Sequence, residues 1–177
     1  MRILAIETSC DETALSIIES NGSTTPTTFS VLANQVLSQI DMHKEYGGVF
    51  PAVAKREHAK AIVPLLQTTL SDAKLLNLQS TPTVIPESFL TMFPQEPELL
   101  KALHTCLTWQ KPEIDAIAVT SGPGLEPALW VGINFAKALS ILWNLPLFPI
   151  NHMEGHIYSS VLEKNSLGFT VPQLSFP

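Results

Sequence analysis

Residues 126–143, Glu-Pro-Ala-Leu-Trp-Val-Gly-Ile-Asn-Phe-Ala-Lys-Ala-Leu-Ser-Ile-Leu-Trp, read as one helix that is apolar almost all round, with Lys137 its only charge after Glu126. A helix without a polar face belongs in the interior of a layered domain. Gly132, Ala136 and Ser140 recur at the spacing of one helix face and offer a small-residue surface for close approach. Just before this helix, Ile114–Thr120 has the pattern of a buried strand, apolar but for Asp115. Ser121-Gly122-Pro123-Gly124 forms a tight turn between the two. Strand, glycine turn and buried helix together make a corner where helix N–H groups can meet an anion, with Gly122 and Gly124 closest to it. The same spacing suits a purely structural βα turn, and neither the P-loop nor the dinucleotide fingerprint occurs.

After the helix, Leu145–Ile150 reads as the next strand. It delivers Asn151-His152-Met153-Glu154-Gly155-His156 at its C-terminal end, the edge where ligands bind in open α/β sheets. Asn151 is a good helix N-cap. His152 and His156, four residues apart, share one face of the helix that follows and can hold one transition metal through neutral ring nitrogens. Two packed or solvated histidines on a surface helix would have the same spacing. The metalloprotease pattern needs Glu directly after the first His, and Met153 stands there. Gly155 costs a helix interior about 1 kcal/mol relative to Ala, so a close neighbour or an irregular helix is expected around it.

The N-terminal segment reads as a hairpin. Residues 2–7 are an apolar run ending in Glu7, Thr8-Ser9-Cys10-Asp11-Glu12-Thr13 form a polar turn, and Ala14–Ile18 resume the apolar character. Such a turn can present hydroxyls and N–H groups to an anion, or be a solvated tip. Glu7, Asp11 and Glu12 place three carboxylates close together, suited to a cation or to general-base work. No partner histidine for Cys10 can be read from the sequence, so an ordinary thiol is expected.

Asn21-Gly22 and Pro26 signal a turn, and residues 28–38 suit a third strand. Tyr46-Gly47-Gly48 forms a loop leading to a helix over 52–63, which Pro64 ends or kinks before a continuation to about residue 73. His43, Lys44, Lys55, Arg56, His58 and Lys60 cluster here, with four of the ten Lys and Arg residues inside 17 positions. Lys55 and Arg56 could contact a phosphate backbone or lie on an ordinary exposed helix face. Residues 74–112 carry Pro82, Pro86, Pro94, Pro97 and Pro112, allow one short helix over 97–109, and read as a surface insertion.

At 177 residues, 45% apolar and 15% charged, the chain can bury a core as one domain. A net charge of −6 argues against a generally basic nucleic-acid binder. Cys10 and Cys106 provide no disulfide framework, and a reduced, cytoplasmic setting is the default. No apolar run is long enough to span a membrane. Early antiparallel hairpins followed by βα units match a ribonuclease-H-like mixed sheet flanked by helices. Residues 171–177 run into another strand-like stretch.

These residues resemble the TsaD family of bacterial enzymes that make threonylcarbamoyladenosine in tRNA, once described as glycoproteases. The resemblance rests on Ile6-Glu-Thr-Ser-Cys-Asp-Glu-Thr13, Leu32-Ala-Asn-Gln35, Tyr46-Gly-Gly48 with Pro51 and Arg56-Glu-His58, Ser121-Gly-Pro-Gly-Leu125, and Asn151-His-Met-Glu-Gly-His156. It covers residues 1–177 apart from about 74–112. It implies the N-terminal ribonuclease-H-like lobe of the actin-like ATPase fold, with a second lobe absent from this chain. The implied reaction moves a threonylcarbamoyl group from threonylcarbamoyl-AMP to the exocyclic amine of the adenosine 3′ of the anticodon, in tRNAs reading codons that start with A. His152 and His156 match the family's metal ligands, for one iron(II) or zinc ion per subunit. A third ligand is expected from the second lobe, so this piece should bind metal weakly and not catalyse alone. Asp11 and Glu12 match acidic residues at the active-site mouth. Thr8, Ser9, Cys10, Gly122, Gly124 and Asn151 are the expected substrate or nucleotide contacts, and Lys55 and Arg56 the tRNA contacts. Implied partners are tRNA and proteins of the TsaB and TsaE type.

Three other readings compete. A metalloendopeptidase fits the histidine pair but misplaces Glu154. A non-catalytic actin-like scaffold of the TsaB kind would lack the pair. A sugar kinase of the same fold would need a sugar-binding signature that this sequence does not carry.

Overall fold

The computed structural model describes residues 1–20, 28–79, 97–165 and 168–170. The expected turn at Asn21-Gly22, the prolines Pro82, Pro86 and Pro94, and residues 171–177 lie outside them. The elements run β1 (Arg2–Glu7), β2 (Glu12–Ser20), β3 (Thr28–Ser38), α1 (Ile40–Lys44), α2 (Pro51–Asp72), α3 (Pro97–Cys106), β4 (Ala116–Gly122), α4 (Glu126–Trp143), β5 (Leu147–Asn151), α5 (His152–Val161), β6 (Glu163–Asn165) and β7 (Gly168–Thr170).

The strands form one sheet in the order β5-β4-β1-β2-β3-β7-β6. β1, β4 and β5 run parallel, and β2 lies antiparallel between β1 and β3. A central parallel trio extended by an antiparallel meander is the ribonuclease-H-like arrangement that the order of elements predicts. Its parallel members fix the site, because the chain leaves β1, β4 and β5 at the same edge. That edge carries the turn after Glu7, the Gly122 corner and the start of α5.

Side chains alternate across the sheet, as the strand period requires. Leu4, Ile6, Leu15, Ile17, Ile117 and Val119 point into a core built with Ile62, Leu66 and Leu70 of α2 and Phe135 and Leu139 of α4. Ala5, Glu7, Ser16, Ala118 and Thr120 line the opposite face, around a shallow depression.

Four details depart from the sequence reading. Pro64 does not end α2, which runs unbroken through it. The burial of Ile62, Val63, Leu66 and Leu70 on one side outweighs the single backbone bond that proline removes. α4 is not buried all round, since Glu126, Trp130, Lys137 and Ile141 form one open stripe. The Lys137 ammonium lies 5.3 Å from the Trp130 ring centroid on that stripe, so the cation shields the indole. The described ends of the 74–112 stretch are no surface appendage either. Leu75, Leu99, Leu103, Cys106 and Trp109 all belong to the core. Leu78 and Trp109 form an antiparallel bridge that ties the two ends together. Finally, α1 and the β6–β7 pair are short elements that no sequence pattern announces.

Candidate metal centre at the sheet edge

Glu7 closes β1 on the uncovered face, and Thr120 stands beside it on β4. Burial pushes the Glu7 carboxyl up, but hydrogen bonds from Ser9, Thr120 and His152 outweigh it and leave the group below the ordinary carboxylate value. The Ser9 N–H donates to Glu7 Oε1 at 2.5 Å. Glu7 Oε2 lies 3.3 Å from His152 Nδ1.

α5 begins directly after β5 because Asn151 caps it. Its Oδ1 accepts from the N–H groups of Met153 at 2.9 Å and Glu154 at 3.3 Å. The cap sets the first turn, and the four-residue spacing brings the histidines together: Nε2 of His152 and Nε2 of His156 are 2.9 Å apart. Their rings meet edge to face, with centroids 4.4 Å apart. Two metal–nitrogen bonds of about 2.0–2.1 Å can converge on one ion from such a pair. Among the described residues no group of three side chains that could hold a metal is assembled, so the pair stands as a set of two donors. α5 buries none of its side chains. Among the described residues no neighbour outside its own helix backbone lies within 4 Å of where a Gly155 Cβ would stand, so the close neighbour expected there is not found among them.

The β1–β2 turn is held from three directions. The Ser9 carbonyl accepts from Leu125 N–H at 2.7 Å and the Asp11 carbonyl from Gln39 N–H at 2.8 Å. The Cys10 carbonyl faces His58 Nε2 at 3.0 Å. A carbonyl only accepts, so Nε2 of His58 carries the proton, and Nδ1 accepts from the Thr13 hydroxyl at 2.7 Å. Asp11 is half-buried and Glu12 exposed above this anchored backbone. Cys10 is exposed. Burial and the adjoining Asp11 carboxylate push its thiol up, which disfavours the thiolate needed for nucleophilic chemistry.

Thr8 and Ser9 are buried. The Thr8 hydroxyl donates to the Ala128 carbonyl at 2.9 Å and accepts from Gly132 N–H at 3.2 Å, so its bonds are spent on the fold. A Cβ on Gly132 would collide with that hydroxyl, and one on Gly124 would stand 2.7 Å from the Ser9 carbonyl. The glycine corner and the first hairpin are thus packed backbone to backbone. Gly122 ends β4 beside Asn151, its partner on β5.

The basic cluster is thinner than its sequence suggests. His43 and His58 are buried. Arg56 and Lys60 both reach Glu57 Oε1 at 2.9 Å, and Lys44 pairs with Asp41 at 2.6 Å. Lys55 and Arg56 both lie in the first turns of α2, half-buried and exposed respectively. Sequence reasoning groups Glu7 with Asp11 and Glu12 and misses its separate place against His152. A signal for it exists, because a strand-end carboxylate and a helix-start histidine share the edge that parallel β1 and β5 create.

The described residues therefore define a ribonuclease-H-like lobe with a histidine pair at its C-terminal sheet edge. A family model for TsaD, tRNA N6-adenosine threonylcarbamoyltransferase, matches residues 30–79 and 96–175, and the chain belongs to this family. The segment between the two matched parts is narrower than the 74–112 stretch, whose ends follow the family pattern. Similar solved structures include YeaZ from Pseudomonas aeruginosa, at 16% identity and a TM-score of 0.46 over 85% of this chain. RuvC from Thermus thermophilus is 12% identical, with a TM-score of 0.44 over 90% of this chain and 69% of its own. The chain spans 42% of the length of the YeaZ chain it matches. Among the described residues no helix is long and apolar enough to cross a membrane.

Proposed function

We propose that this chain carries the metal-holding lobe of an enzyme that transfers threonylcarbamoyl from threonylcarbamoyl-AMP to the exocyclic amine of the adenosine 3′ of the anticodon. The tRNAs concerned read codons beginning with A, and the reaction takes place in the cytoplasm. The observation that carries the reading is the convergence of His152 and His156 Nε2 at 2.9 Å on the sheet edge shared with the Asp11–Glu12 turn. These nitrogens would hold one iron(II) or zinc ion, which when bound supplies a Lewis acid toward the threonylcarbamoyl carbonyl. Asp11 or Glu12 orients the attacking amine and takes up its proton as AMP leaves. The N–H groups of the anchored turn and the Gly122–Gly124 corner, with Asn151 at the mouth, receive the nucleotide phosphate. Lys55 and Arg56 meet the tRNA backbone. With two ligands on this lobe, the chain alone binds metal weakly and does not catalyse; a third ligand and TsaB- and TsaE-type partners complete the system.

Nucleoside mass spectrometry tests this. Cells depleted of the transferase receive a chimera in which this chain replaces the matching lobe of an active family member. Threonylcarbamoyladenosine should return with the wild-type lobe and not with His152→Ala,His156→Ala. Return with both would make the histidines dispensable. No return with a soluble wild-type chimera would overturn the transfer assignment.

A further inference from the structure

The metal reading leaves one side chain without a task. Glu7 neither joins the histidine pair as a third ligand nor sits in the exposed part of the turn with Asp11 and Glu12. It is fixed at the end of β1 by the Ser9 N–H on one oxygen, and presents the other to His152 Nδ1 at 3.3 Å. An ionised carboxylate has no proton to give, so the bond between them requires the proton on His152 Nδ1. That leaves a bare lone pair on His152 Nε2, the nitrogen that faces His156.

We infer that Glu7 is a positioning residue for the histidine pair, locking His152 in the Nδ1–H tautomer and fixing its ring so that Nε2 faces the metal position. The inference rests on the metal reading above. Carboxylates that hold the far nitrogen of a ligating histidine orient the ring and raise its basicity, and their loss costs about 10–100-fold in metal affinity. The need is greater here than in a closed site. α5 buries no side chain fully, and 27% of the His152 side chain stays exposed, so the Glu7 carboxylate adds a directional hold that partial packing does not give. The rigid support comes from β1, a central strand, across to a helix that is otherwise anchored at its cap.

A second consequence follows for His156. The two Nε2 atoms are 2.9 Å apart, within hydrogen-bond distance, and His152 Nε2 has no proton. His156 must therefore donate from Nε2 in the metal-free chain, giving the pair opposite tautomers. When its own Nε2 becomes a ligand, the ring switches tautomer: Nε2 releases its proton and Nδ1 takes one up through solvent, so the imidazole stays neutral.

Ring nitrogen NMR on the histidine-labelled chain, with zinc titration by chelator competition, tests this on wild type, Glu7→Gln, Glu7→Ala and His152→Ala,His156→Ala. In the wild type His152 should be Nδ1–H and His156 Nε2–H. Glu7→Ala should mix the His152 tautomers and weaken zinc binding about 10–100-fold. Glu7→Gln keeps an accepting oxygen and guards against mere misfolding: it should preserve the tautomer while binding zinc less tightly. An Nε2–H tautomer on wild-type His152, or Glu7→Ala zinc affinity within twofold of wild type, would overturn the role of Glu7. Zinc binding unchanged in the double histidine variant, or undetectable in the wild type, would instead overturn the metal reading, and the tautomer measurement would still decide the role of Glu7.

Discussion

The Thr8 hydroxyl bridges Gly132 N–H and the carbonyl four residues before it, the two groups an α-helix ordinarily joins directly. The first hairpin is thereby keyed into α4, and only glycine fits at the keyhole. Gly132→Ala should cost about 1–3 kcal/mol through overpacking. Thr8→Ala should cost about as much by removing the bridge. The two share one contact, so Thr8→Ala,Gly132→Ala should be more stable than Gly132→Ala alone. Urea unfolding of the three variants checks the sign of that coupling.

Asn151→Ala should act locally. The side chain caps two N–H groups of a helix with no fully buried side chain, so its loss costs about 1 kcal/mol of helix rather than of the whole fold. Amide exchange across His152–Val161 should quicken about fivefold with the global urea midpoint unmoved. Zinc binding should weaken in step, because the cap sets the turn that carries His152.

His58 gives the fold a dependence on pH. Burial holds its ring below the ordinary value of 6.5, against the Cys10 carbonyl and the charges of Glu7 and Asp11, which push it up. The unfolded chain takes up a proton near 6.5 that the folded chain refuses. Stability from this residue is therefore complete above that pH and falls as pH drops through it toward the lower folded value, by at most about 1.4 kcal/mol per unit. His58→Gln should flatten the slope of unfolding free energy between pH 7.5 and 5.5, as measured by urea titration at each pH. An unchanged slope would mean that His58 is not the group responsible.

The two cysteines should differ in reactivity. Burial pushes the Cys106 thiol up to about 12. Cys10 is exposed but also raised. Maleimide at neutral pH should label Cys10 more slowly than free glutathione, and Cys106 only in denaturant, as read by peptide mass spectrometry. Rapid labelling of Cys10 would reopen a nucleophilic role for it.

Elements with strong periodicity are legible in the amino-acid sequence. β3 spans residues 28–38 as its composition indicates, and Asn151 caps α5 as its position indicates. Orientation is what local sequence does not carry. His43 and His58 look like members of a basic cluster, yet each is buried and satisfied by neighbours in the folded chain. Trp109 and Leu75 sit in a stretch dominated by prolines, and only tertiary packing reveals that they are core. The Glu7–His152 contact joins residues 145 positions apart, a distance no local pattern spans.

The turn bearing Asp11 is seated like a plate on a kinematic mount. Its three successive carbonyls rest on Leu125, His58 and Gln39, one support each from the entry to α4, α2 and the entry to α1. Three feet define a plane and leave no axis to rock about. Any shift of one support must therefore tilt the carboxylates above it, so a change far along α2 can reach Asp11 without touching it.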